Sequence, residues 1–336
     1  MKNEKFQFKD RNDAVIQWLL ESGDPSIRYL TLTEILDEQK KSPEVKKAKK
    51  DIPNGPLVRR LLSGQKSDGG FGVHPYQKWT GAHWRLVSLV ELGIPPDHPK
   101  ALAAANQVLE WLTSDDHLRG IKKIHGLTRQ HASVEGNALA VCCRLGLAKD
   151  VRVRQIAHSL MDGQWHDGGW NCDEREEAHH SSFYESLASL WGLIEYHRAT
   201  GDKDCLKSAQ RASEFFLRHR LIRSEKTGEV INPHWLKLHY PLYWHYDILQ
   251  ALRILSLLDK LRDPRVEESL DILESKRLRD GRWQPGGYYW YPGGRVRIMG
   301  KKRILSNVEV VNWGRNGPNR MITLIALRVL KSAGRF

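Results

Sequence analysis

Apolar residues recur at helical spacing in segment after segment of this chain, and the segments alternate between two types. One type is amphipathic with a charged face, as in Asp263 to Leu278. The other is apolar nearly all round, as in Asn137 to Gly146 and Ser186 to Leu193. Helix starts are announced by Asp24-Pro25 and Asp263-Pro264, a capping acceptor before a proline at the first helical position. Ser182-Phe-Tyr-Glu185 reads as a capping box. The spacing predicts helices over 11–22, 25–38, 43–63, 81–93, 97–113, 133–147, 150–163, 182–199, 203–220, 244–259, 264–278 and 319–333. A helix that is apolar on every side is buried on every side. Half-buried and fully buried helices in alternation, about six of each, predict an all-α fold: an (α/α)6 double-ring toroid, with residues 1–336 as one domain.

Residues 283–318 are long for a connector, and long connectors in compact domains often act as lids. Tyr288 to Tyr291, Pro292-Gly-Gly294 and Arg295 to Ile298 read as a hairpin, so this segment is expected to form a small β-hairpin flap over one mouth of the ring. Lys301-Lys-Arg303 follows. The flap is basic enough to meet a diphosphate, a uronate or an anionic membrane surface; a solvated basic loop is the plain alternative.

The chain has 336 residues, with 53 Lys and Arg against 40 Asp and Glu, a formal charge of +13. That charge is scattered and carries no recognition motif, so no nucleic-acid partner is expected. Hydrophobic residues at 40% and charged residues at 28% exclude global disorder. No apolar run approaches the ~18–20 residues that span a bilayer, and Met1 to Asp13 is polar and mixed in charge, unlike a secretory signal. Cysteine usage, with Cys142 and Cys143 adjacent, fits a reducing, cytoplasmic compartment, with peripheral membrane contact as a variant. The 12 tryptophans change the picture most. A buried indole needs a partner for its N–H, so this many point to a repeated motif or an aromatic-lined cavity.

A repeat is present. Gly64-Gln65-Lys-Ser-Asp68-Gly69-Gly70-Phe71, Gly163-Gln164-Trp-His-Asp167-Gly168-Gly169-Trp170 and Arg279-Asp280-Gly281-Arg282-Trp283 are alike, and each follows an amphipathic helix. The glycines permit a sharp turn, the aromatic covers it, and the Gln can bond exposed peptide groups at a helix end; these are structural staples. The repeat resembles the QW motif of triterpene (squalene–hopene type) cyclases. The paired-helix pattern, over about Asp24 to Gly334, is similar to that fold and to the β-subunits of protein prenyltransferases. Asp167 to Asp173, His180-Ser-Ser-Phe183 and His245-Tyr-Asp247 look like a group of stand-alone, single-toroid bacterial proteins called squalene-cyclase-like. Two departures matter. The Asp-x-Asp-Asp tetrad with which class II cyclases protonate an alkene is missing, Asp115-Asp116 being the nearest text. The Asp-x-Cys pair with which prenyltransferases hold zinc is missing too, so neither catalytic apparatus carries over.

In a double ring the N-terminal ends of the inner helices meet at one mouth. Arg28, then His83 and Trp84, then His131 and Glu135, then His179, His180, Tyr184 and Glu185 fall at successive starts. Tyr243, Trp244, His245, Tyr246 and Asp247 mark the fifth, and Arg315, Asn316 and Arg320 the sixth. A concave aromatic pocket with a few placed polar groups is the default binding site, and converging helix N-termini favour an anionic ligand. Protonating an alkene or a glycosidic oxygen requires a carboxylic acid kept neutral by burial or by a second carboxylate. Asp247, Glu185 and Glu135 are the acids at inner starts, and His245 can tune or reprotonate Asp247. Trp84, Trp244, Tyr184 and Tyr246 can stabilise a carbocation through their faces. Arg28, His83 and Arg315 complete the substrate-binding set. Each residue has a plainer role as well: Glu185 closes a capping box, Asp247 and Glu135 complement helix dipoles, His245 is an interior histidine, and Arg28 pairs across the ring.

Three readings follow. The first is an isoprenoid (terpene) cyclase-like enzyme using proton-initiated chemistry in an aromatic cavity. The second is a carbohydrate-active toroid with paired carboxylates. The third is a non-catalytic toroid that binds a lipid or a partner, signalled by a cavity filled with its own side chains. No organic cofactor is expected. Zinc is the one candidate metal, on Cys172 with His179 and His180.

Overall fold

The computed structural model describes residues 11–299 and 302–336, and these are mostly helical with two small antiparallel hairpins. The helices in order are α1 (Arg11–Leu20), α2 (Pro25–Leu30), α3 (Pro43–Asp51), α4 (Pro56–Leu62), α5 (Ala82–Glu91), α6 (Pro99–Leu112) and α7 (Asp115–Arg119). A hairpin of β1 (Lys122–Ile124) and β2 (Leu127–Arg129) comes next. It is followed by α8 (Ala132–Arg144), α9 (Val151–Asp162), α10 (Phe183–Thr200), α11 (Lys203–Arg218), α12 (Ile248–Leu255) and α13 (Glu267–Ser275). A second hairpin, β3 (Arg295–Met299) with β4 (Lys302–Ser306), precedes α14 (Arg320–Ser332).

Several expected boundaries move, each for a local reason. The helix expected over 43–63 is two helices, because Pro53 and Pro56 lack the N–H that a continuing helix needs. The helix expected over 25–38 passes at Thr31–Ile35 into a wider turn, with Leu36 N–H reaching back to Thr31 C=O at 3.1 Å. The helix expected from 244 starts at Ile248, where the Asp247 carboxylate accepts the Gln250 N–H at 2.9 Å. The stretch expected as one helix over 264–278 opens with a 3₁₀ turn at Pro264–Val266 and ends at Ser275. The first hairpin and α7 were not expected; the hairpin turns through His125 and Gly126, both at positive φ. The flap hairpin exists but pairs further along, Arg295–Met299 with Lys302–Ser306. Of the stretch Tyr288 to Tyr291, Trp290 is buried and Tyr289 stacks on His239 and His245, while Tyr291 pairs with Val308 just beyond β4.

Six helices touch in succession: α5 on α8, α8 on α10, α10 on α12, α12 on α14, and α14 on α2. The amphipathic helices lie against them, α6 on α5 and α8, α9 on α8 and α10, α11 on α10, and α13 on α12. In α8 every residue from Ala132 to Cys143 is buried, and in α10 every residue from Glu185 to Tyr196. These two cross with backbone against backbone. A Cβ on Gly136 would lie 2.4 Å from Ser189 N, and one on Gly192 would lie 2.5 Å from Gly136 O.

The repeat acts as a staple. Gln65 donates to Gly69 C=O and to Lys100 C=O in α6, both at 2.8 Å. Gln164 donates to Gly168 C=O at 2.7 Å and to Ser208 C=O in α11 at 3.0 Å. In the third copy Arg277 stands six residues before the Trp, where the Gln stands in the others, and donates to Gly281 C=O at 2.9 Å. The indole N–H of Trp170 reaches Leu160 C=O and that of Trp283 reaches Leu273 C=O, each at 2.8 Å. Each aromatic thereby closes the end of the preceding helix.

Gly136→Ala is expected to cost about 1–3 kcal/mol, since the added methyl must push two helix backbones apart. Gly168→Ala carries both strain at φ +101° and a Cβ 2.5 Å from Arg211 O, and should cost at least as much. Urea unfolding midpoints at constant slope measure both; an unchanged midpoint for Gly136→Ala would remove the close crossing.

Candidate functional site

The starts of α5, α8, α10 and α12 converge, and the aromatic residues expected there fill the space between them. Trp84 is fully buried, donates its N–H to Tyr76 C=O at 2.7 Å, and meets Trp79 and Tyr243 edge-on. Trp79 and Tyr243 stack at 4.0 Å. His245 is sandwiched between Trp244 and Tyr289, and Tyr289 also stacks on His239. Tyr289 belongs to the segment expected as a lid. Its carbonyl accepts from the Trp79 indole at 2.7 Å and from the Asn307 amide at 2.9 Å, which pins the strap over these helix starts. Beneath it, a cavity lined by Asn137, Tyr184, Trp191, Tyr243, Trp244 and His245 has a volume of only about 20 Å³, little more than one water needs.

The expected acids are engaged. Asp247 is fully buried and accepts from the Gln250 N–H, the His239 N–H at 2.8 Å and the His239 ring at 3.2 Å, so it caps α12 and anchors His239. Glu135 is held by Gln130 and by His117 Nε2 at 3.1 Å. Ser182 accepts the Glu185 N–H, as a capping box requires, but the Glu185 carboxylate leaves its own helix. One oxygen accepts the Ser133 N–H at the start of α8 at 2.8 Å, and the other receives the Cys172 thiol at 3.4 Å.

The other expected residues are dispersed. Arg28 is exposed on α2 and does not line the mouth, which corrects its expected place. Tyr246 turns away into a cluster with Phe183, Phe216 and Trp235, its hydroxyl donating to Leu221 C=O at 2.7 Å. The Tyr184 hydroxyl accepts from the Trp235 and Asn232 side chains. Arg315 lies over Tyr288 and Trp290 and donates to Trp290 C=O at 2.8 Å, bracing the strap.

His83 is buried edge-on to Trp84 and Trp111, and burial pushes its pKa down to about 3. His245 is held well below its usual value by burial and donates from Nδ1 to Leu242 C=O, which makes Nε2 the basic nitrogen of a neutral ring.

The metal expectation is corrected in part. His179 and His180 are exposed and pack on each other. Among the described residues Cys172 is joined instead by His131 and Glu185, the three offering ligand atoms all within 4.8 Å of one another. The loop after the Gly168-Gly169 turn brings Cys172, the start of α8 brings His131, and the first turn of α10 brings Glu185. His131 is exposed, Cys172 half-buried and Glu185 buried, so the cluster opens to solvent on one side. Burial and the Glu185 carboxylate push the Cys172 thiol up to about 12. Imidazole, thiolate and carboxylate together form a donor set that suits zinc, and the Ser133 N–H orients the carboxylate from behind. Each residue was visible singly in the sequence; no spacing signal joined His131 to Cys172. Comparison with known protein families finds no family model that matches this chain, and no curated protein matches it either.

The buried histidines make the fold acid-sensitive. In the unfolded chain His83 titrates near 6.5 and in the fold near 3, so the unfolded state binds more protons in between. Its contribution to stability is complete above pH 6.5 and is lost as pH falls through that window, by up to about 1.4 kcal/mol per pH unit. Urea midpoints at pH 7, 6 and 5 should fall in that order, and His83→Gln should flatten the slope. An equal slope in the variant would show that His83 does not carry it.

Proposed function

We propose that this chain is a metal-dependent enzyme built on a closed (α/α)6 toroid, with its reacting centre at the rim of the mouth on His131, Cys172 and Glu185. The observation that carries the reading is the convergence of these three donors within 4.8 Å from three separate elements. The contacts of α5, α8, α10, α12, α14 and α2 in succession, with α6, α9, α11 and α13 packed against them, support the ring. Held by His131, Cys172 and Glu185, a zinc ion would supply Lewis-acid activation of a water or substrate oxygen at near-neutral pH. The chain's own residues do the rest. Ser133 N–H and the α8 N-terminus hold the Glu185 carboxylate in place. His131 faces solvent, where a small organic substrate arrives.

This reading is favoured over proton-initiated cyclisation of an isoprenoid. The three carboxylates that would donate the proton are tied to caps, to a histidine or to a thiol. The cavity of about 20 Å³ holds no hydrocarbon chain while Tyr289 stays stacked on His245. An isoprenoid or other apolar ligand requires the 283–318 strap to withdraw. Protein purified without chelators should contain about one equivalent of zinc by elemental analysis. Cys172→Ser and Glu185→Gln should each lower zinc affinity at least tenfold, while His179→Ala leaves it unchanged. Zinc-free protein, or zinc retained in both variants, overturns the assignment.

We also infer that the second hairpin contacts an anionic membrane surface. Ile298 is 77% exposed and Val296 53%, and Leu305, paired with Val296, is exposed on β4. Arg295, Arg297, Lys301, Lys302 and Arg303 fall in the same stretch, with no acid from 293 to 308. Exposed apolar side chains among cations fit the interface of an anionic bilayer. Phosphatidylglycerol vesicles should sediment the protein and phosphatidylcholine vesicles should not. Ile298→Ser should weaken the association severalfold; equal binding to both lipids, or no effect of the substitution, rules the contact out.

A further inference from the structure

Where the strap crosses the chain before α12, two glycines stand together. Gly286 serves a close backbone approach. Its N–H donates to Leu238 C=O at 2.8 Å, and a Cβ on it would lie 3.0 Å from Lys237 Cα. Gly287 serves no such approach. Apart from its chain neighbours, a Cβ there would meet only the His239 imidazole within 4 Å, Nε2 at 3.1 Å and Cδ2 at 3.7 Å. The position that a side chain would take at residue 287 is therefore open and lies at hydrogen-bond distance from Nε2.

That imidazole is held in one orientation. Asp247 divides its carboxylate. Oδ1 accepts the Gln250 N–H at 2.9 Å and caps α12, while Oδ2 accepts the His239 N–H at 2.8 Å and faces His239 Nδ1 at 3.2 Å. Capping needs one oxygen, so the second is committed to the histidine. With Nδ1–H donated to a carboxylate, Nε2 carries the lone pair. Tyr289 stacks on the ring at 4.4 Å and fixes its plane, and His245 stacks on Tyr289 in turn. Nε2 itself has no hydrogen-bond partner among the described residues and is not enclosed. Asp247 is fully buried, so its charge is little screened and would stabilise an imidazolium formed by protonation of Nε2.

We propose that His239 is a general base at a second site, where it activates water against a small aryl ester. Nε2 takes one proton of a water seated beside Gly287 as the water oxygen bonds to the carbonyl carbon. The ester C–O bond then breaks, and the leaving oxygen keeps that electron pair and takes the proton back from Nε2. Ester and water become acid and phenol, and the imidazole ends as it began. The rim fits an aryl group: Tyr288 follows Gly287, is half-buried, and carries Arg315 over its ring at 4.8 Å. A phenolic oxygen also leaves without help from a metal. Asp247 is the positioning residue, holding the ring and its tautomer. The centre uses neither His131, Cys172 nor Glu185.

Hydrolysis of p-nitrophenyl acetate by the full chain, with a chelator present, tests it. Turnover should exceed that of equimolar free imidazole at least tenfold. Gly287→Ala puts a methyl against Nε2 and should lower kcat/KM at least tenfold while circular dichroism stays that of the parent chain. His239→Gln should fall to the level of free imidazole. Asp247→Asn should move the midpoint of the rise in rate with pH down by about one unit, because the imidazolium loses its carboxylate; a helix cap alone would not move it. Should either of those two variants fail to fold, Gly287→Ala, which alters neither side chain of the pair, decides. Cys172→Ser should turn over as the parent does, which separates this site from the metal centre. A rate no greater than that of free imidazole, or the full rate in Gly287→Ala, overturns the proposal.

Discussion

The contact of α8 with α10, made through Gly136 and Gly192, is the constraint on which both ends of the molecule depend. Two helices whose backbones touch have a fixed register, because any side chain at the crossing would force them apart. That register sets the start of α8 beside the first turn of α10, so the Ser133 N–H meets Glu185 and His131 comes near Cys172. At the far end the same register sets Arg144 beside Glu195. A shift by one helical turn would move both junctions by about 5 Å and dissolve them.

Helix polarity sorts the chemistry. Orphan N–H groups at the starts of α12 and α8 are met by acceptors, Asp247 and the Glu185 carboxylate, and those acceptors are therefore drawn away from proton transfer. At the ends of α8, α12 and α14 the dipoles favour cations, and arginines stand there. The residues that look most catalytic in the sequence thus serve the backbone first.

The aromatic mouth closes on itself for a reason of composition. Tyr289, His245, Trp244, Tyr243 and Trp79 are flat, large and near one another, and stacking them buries more apolar surface than leaving a hollow would. The strap that carries Tyr289 is fastened by hydrogen bonds to its carbonyl and by Arg315 at its neighbour Trp290. The narrowness of the cavity beneath it follows from this packing.

Much of the helical framework was legible in the chain. Period, capping residues and the repeated Gln-to-aromatic turns act within a few residues of themselves, so their physics is written locally. Pro53, Pro56 and the Asp247 cap were equally readable, and the boundaries they set follow from known backbone rules. The candidate site was legible only in pieces. His131, Cys172 and Glu185 are far enough apart in sequence that no spacing rule joins them, and His179 and His180, closer to Cys172 along the chain, are turned outward. What the sequence alone determined was which segments are helices and which faces they bury, since those depend on neighbours three and four residues away. Which titratable groups meet, and which are consumed as caps, were decided by the tertiary structure, because a backbone-to-backbone crossing and ring stacking between distant segments set those distances.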